Sequence, residues 1–116
     1  MTDNDFPLKT LVLRIRDKTM LYQCYMPFLV NGGLFVPTDD ILSLGQNVLL
    51  TVEIGNRRFQ DLPVKTAWIS PAGMSAQRPR GVGLAFGSNE DCRRLKQLIE
   101  TELGDEIRSE RTTFTL

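Results

Sequence analysis

Two adjacent glycines, Gly32 and Gly33, stand between two apolar runs in Tyr25–Pro37, YMPFLVNGGLFVP. Glycine tolerates positive φ and lets neighbouring strands approach closely, so the pair demands a tight reversal of the chain. Leu34-Phe35-Val36 then reads as a short strand. Pro37 stops it, because proline cannot donate to a ladder. The chain is therefore committed early to β-hairpin geometry, and the rest of the sequence is consistent with that.

Leu11, Leu13 and Ile15 alternate with Val12, Arg14 and Arg16, the pattern of a half-buried strand. Asp17-Lys18 reads as a turn. Met20–Val30 reads as a second strand, with Met20, Tyr22, Cys24, Met26 and Phe28 in phase and Pro27 marking an edge or a bulge. A loop from Thr38 to Gln46 leads to a strand with Val48, Leu50, Val52 and Ile54 in phase. Gly55-Asn56 marks a hairpin. The run Phe59–Ile69 places Leu62, Val64, Thr66 and Trp68 on one face. After a Pro- and Gly-containing loop, Gly81–Phe86 is the last strand, with Val82, Leu84 and Phe86 inward and Gly83 and Ala85 outward. The period then changes from 2 to 3.6: Ser88 reads as an N-cap, Cys92, Leu95, Leu98, Ile99 and Leu103 form an apolar stripe, and Gly104 ends the helix.

Six short strands and one helix predict a mainly β fold, a small six-stranded antiparallel barrel with one C-terminal α-helix. Residues 1–104 make up this unit, and 105–116 read as a flexible polar tail. At 116 residues, 41% of them hydrophobic, the chain suits one domain with a small core.

Composition narrows the function. Lysine plus arginine is 14 and aspartate plus glutamate is 14, a net charge of zero. That balance argues against a general nucleic-acid binder, and the local clusters Arg57-Arg58, Arg78/Arg80 and Arg93-Arg94 read as solvated surface. Without histidine, a His-based metal site, triad or general base is excluded. No acid pair clusters in the sequence, so the chain reads as a non-enzyme without a cofactor. Cys24 and Cys92 read as small core hydrophobes of a reducing compartment. No secretory signal or membrane span is legible, and a cytoplasmic location is expected. The glycines of Gly81-Val82-Gly83 lie within a strand and make no nucleotide loop.

The double-glycine hairpin resembles the second signature of the PilZ domain family, Asp/Asn-x-Ser-x-x-Gly. The glycine is present as Gly33, while Phe28 and Val30 occupy the polar positions. Further likenesses are Tyr25–Phe28, Gly32–Pro37, Trp68–Gly73 and Thr112–Leu116, in the order found in the stand-alone members of type IV pilus assembly, and Gly81–Phe86 is similar to the family's closing strand. The resemblance covers about Leu8–Gly104. It implies a barrel that elsewhere receives cyclic-di-GMP through an Arg-x-x-x-Arg pair before the first strand. Arginine suits that ligand because its planar fork binds phosphate or a guanine edge and stacks on the base. Here Asp3-Asn4-Asp5-Phe6-Pro7-Leu8-Lys9 precedes the first strand, with no arginine, and Phe28 and Val30 have no hydrogen-bonding side chain.

The resemblance therefore implies a barrel whose cyclic-di-GMP site is degenerate. It further implies an adaptor in pilus biogenesis and twitching motility that contacts the pilus assembly ATPase and an EAL-domain regulator. The alternative is a receptor with an atypical site using Arg14 or Arg16. For an adaptor, the candidate contact residues are Tyr22, Trp68, Ile69 and Pro71, with Phe114 and Leu116 in the tail. Tyr22 and Trp68 share phase with inward residues, so each reads either as core or as an exposed anchor.

Overall fold

The computed structural model describes residues 9–70 and 80–104. In chain order its elements are β1 (Lys9–Ile15), α1 (Lys18–Cys24), β2 (Gly33–Pro37), β3 (Asn47–Ile54), β4 (Arg57–Ser70), β5 (Gly81–Phe86) and α2 (Glu90–Leu103). The strands form one curled sheet in the order β1-β3-β4-β5-β2. Its edge strands, β1 and β2, touch across the core, so the sheet is half of a barrel. The fold is thus mainly β, but it departs from the expected six antiparallel strands and single helix. Among the described residues there are five strands and two helices, and β1 pairs with β3 in parallel.

The missing strand is α1. Asp17 forms its N-cap, with its side chain accepting from the Met20 backbone N–H at 2.8 Å. Leu21, Tyr22 and Tyr25, at i, i+1 and i+4, are all buried, which is a helical spacing. The alternation Met20–Tyr22–Cys24 is a coincidence within this spacing. Pro27 follows the helix rather than bending a strand. The chain then returns through a single antiparallel bridge, Tyr25 with Leu34. Gly32 sits at φ 76°, as a tight reversal requires. Gly33 lies against β5: a Cβ there would stand 2.5 Å from the Leu84 carbonyl oxygen and 2.8 Å from Leu29 Cδ1.

Strands β3 and β4 form the expected Gly55-Asn56 hairpin, and their ladder breaks between Leu50 and Val52. Asp61 takes φ 56° in β4 opposite this break, and its N–H donates to Thr51 Oγ1. A second break falls between Thr66 and Trp68, leaving Ala67 as an extra residue opposite β5. α2 begins one residue later than expected. Asn89, not Ser88, is its N-cap, and the Asn89 side chain accepts from the Cys92 backbone N–H at 2.8 Å. Gly104 ends the helix as expected.

One core joins these elements. Leu11, Leu13 and Ile15 of β1, Val48, Leu50 and Val52 of β3, Val82, Leu84 and Phe86 of β5, and Cys92, Leu95, Ile99 and Leu103 of α2 are all buried in it. Leu98, expected in the helix stripe, is only half-buried. Full burial of a single Leu, Ile or Val stabilises by about 1.5–3 kcal/mol, so these rows hold the sheet and helices together. Among the described residues, no helix is long and apolar enough to cross a membrane.

Candidate functional site

Among the described residues, the anchors expected from the sequence do not form one patch. Strand residues alternate faces, and the extra residue Ala67 inverts that alternation in β4. Before the bulge Thr66 pairs with Leu84 and is buried; after it Trp68 pairs with Gly83 and Ile69 with Val82. Trp68 is therefore turned out of the core phase and is 39% exposed. The phase argument that would have placed it in the core fails because nothing about Ala67 announces a bulge.

Trp68 has a defined seat. Gly83 has no side chain, and a Cβ there would lie 2.8 Å from Met26 Sδ and from Trp68 Cβ. Met26, completely buried, fills the space over Gly83, and the base of Trp68 packs beside it. Gly83, expected on the outward face, is buried instead, covered by Met26 and the base of Trp68.

Ile69 is 43% exposed and lies with Val82 in a cleft of about 250 Å³ that also contains Ile41 and Leu42. The loop carrying Ile41 is tied to β4 through Gly45 N–H to Thr66 O and Thr66 N–H to Gln46 O. Ion pairs flank the cleft: Arg80 with Asp39 at 3.9 Å and Lys9 with Asp40 at 3.1 Å. Ile41 is one of the most exposed large apolar side chains, and sequence reading missed it because the Thr38–Gln46 loop has no periodicity. Tyr22 stands apart from both places. It lies on α1, is 7% exposed and belongs to the core, so the helix removes it from the set of exposed anchors. Pro71, Phe114 and Leu116 lie outside the described residues.

Two of the three positions of the degenerate motif are at the surface. Val30 is 96% exposed and Phe28 is 51% exposed, while Gly33 is buried against β5. Val30 and Leu29 border a groove of about 660 Å³ over β3, β4 and β5, between Val48, Pro63 and Phe86. Among the described residues its lining contains one cation, Lys65, and no arginine. The described lining thus offers no guanidinium fork for bidentate recognition of phosphate or a guanine edge. Arg14, on the exposed face of β1, donates to Glu53 at 3.0 Å.

Burial pushes the Cys24 thiol up to about 12 and raises Cys92 as well, so neither is a ready thiolate. Cys92 Sγ donates to the Pro63 carbonyl. Tyr25 donates its phenolic hydrogen to Glu100 Oε2 at 2.7 Å, and Lys96 pairs with the same oxygen at 3.2 Å. Burial raises the Tyr25 phenol, and that hydrogen bond holds the Glu100 carboxyl below its usual range. This tie joins the end of α1 to α2.

No family model and no curated protein sequence matches the chain.

Proposed function

We propose that the protein is a cytoplasmic, non-enzymatic adaptor of type IV pilus biogenesis and twitching motility. It joins the pilus assembly ATPase to an EAL-domain cyclic-di-GMP regulator, and its own cyclic-di-GMP site is degenerate. The reading rests on the family resemblance. The observation that carries it is the exposure of Trp68 and Ile69 on opposite faces of β4. Tryptophan anchors protein interfaces because it buries large area with few torsions to freeze. Two apolar places on opposite faces suit a protein that meets two partners. The groove beside Val30, without arginine among its described residues, supports loss of the second-messenger site.

The test uses the purified chain with the ATPase and the EAL-domain protein. Trp68→Ala is expected to weaken capture of one partner by about 2 kcal/mol or more, with a melting temperature close to wild type. Loss of 3–5 kcal/mol of fold stability instead would mark Trp68 as a core residue. A folded variant that captures both partners at full strength removes its anchor role. Calorimetry with cyclic-di-GMP is expected to give no isotherm tighter than roughly 10 μM, about −7 kcal/mol. A tighter one-to-one isotherm would favour the receptor alternative.

A further inference from the structure

The β3–β4 hairpin and α2 enclose an open groove of about 550 Å³ at the end of β4 far from Trp68. Arg57 and Arg58 border it from the hairpin and Arg94 from the helix, and among the described residues no acidic one lines it. Its apolar part is Phe59 and Leu98, both half-buried. Arg94, Leu98 and Thr101 stand at i, i+4 and i+7, one stripe of α2 facing the hairpin. The arginines are weakly committed. Arg58 shares the half-buried Glu53 with Arg14, and Arg94 meets Glu90 and Asp91 on its own helix; the arginines of these pairs are solvent-exposed, so an incoming carboxylate can compete for them. Arg57 has no carboxylate partner among the described residues.

We propose that this groove is a protein-docking site for an acidic segment carrying an apolar side chain. Carboxylates of the segment would meet the three guanidinium groups, and its apolar side chain would cover Phe59 and Leu98. Charge complementarity selects the occupant: three positive charges converge on a groove with an apolar floor. A nucleic-acid strand fits less well. The groove is short, the chain has no basic surplus, and a strand gains most of its affinity from many phosphate contacts. Arg57 and Trp68 lie eleven residues apart, toward opposite ends of β4, so occupants at the two ends would not overlap. The inference extends the adaptor reading but does not depend on it.

The test follows amide chemical shifts of the full chain during titration with a glutamate-rich synthetic peptide bearing one central leucine. The expected result is saturable shifts confined to Arg57–Phe59 and to the Arg94–Thr101 stripe. The double variant Arg57→Glu/Arg94→Glu should weaken binding roughly tenfold or more. Both side chains are exposed, so its melting curve should match wild type; if it does not fold, Arg57→Gln alone is expected to weaken binding by a smaller factor. Trp68→Ala should leave peptide binding unchanged, which separates this site from the one tested by partner capture. No saturable shift, shifts centred elsewhere, or equal binding by the same peptide with serine for leucine would overturn the proposal. Tighter binding of oligothymidylate in this groove would overturn it in favour of a nucleic-acid site.

Discussion

The hydroxyl of Thr66 is buried without a hydrogen-bond partner among the described residues. A buried polar group left unpaired costs about 1–3 kcal/mol, and valine has nearly the same shape. Thr66→Val is therefore expected to be neutral or stabilising, read from the melting temperature. A clear loss of stability would show that the hydroxyl has a partner after all. Tyr25 and Glu100 make the opposite case. The Glu100 carboxyl is held low chiefly by the Tyr25 hydroxyl and also by Lys96. A lowered carboxylate pKa gives stability that is full above the usual carboxylate range and is lost as the pH falls through the lowered value. Glu100→Gln should thus melt below wild type near neutral pH, and the gap should close in acid. Tyr25→Phe should reduce that pH dependence. A gap constant from neutral to acid pH would mean that the tie does not titrate.

Among the elements, β3, β5 and α2 were legible because each follows one period for its whole length. Val48, Leu50 and Val52 alternate; Cys92, Leu95, Ile99 and Leu103 do not, and all of them are buried. The seven residues of α1 were not legible. So short a helix gives little more than one turn of periodicity, and Met20, Tyr22 and Cys24 satisfy a strand template equally well. Asp17 was the signal that could have settled it, as a capping residue just before the run. The bulge at Ala67 had no signal, and it decides whether Trp68 is core or surface. The Gly32-Gly33 reversal was legible in place but not in division of labour: Gly32 has the positive φ and Gly33 the close approach. Both Gly32→Val and Gly33→Val should destabilise by more than about 1 kcal/mol. Gly33→Val should be the worse, because Leu84's carbonyl is backbone and cannot move aside. Unchanged melting in both variants would refute the tight turn.

At the scale of the whole molecule, the parallel pairing of β1 with β3 was beyond reach of local pattern. Lys9 meets Val48 and Ile15 meets Ile54, with α1 and β2 between them in the chain. Such pairings must close a long loop before any ladder bond forms. Refolding is accordingly expected on the millisecond-to-second scale typical of sheets with non-local contacts, measurable by stopped-flow dilution from denaturant. Refolding within microseconds would contradict this topology.

The chain has a single tryptophan, and the Ala67 bulge leaves its side chain partly in water. Trp68 is therefore an optical reporter that needs no dye. A partner that covers it should shift its emission to shorter wavelength and shield it from acrylamide. A partner seated at the arginine groove, at the other end of β4, should leave the spectrum as it was. One cuvette measurement, repeated with each partner, would tell which end of the strand each one occupies.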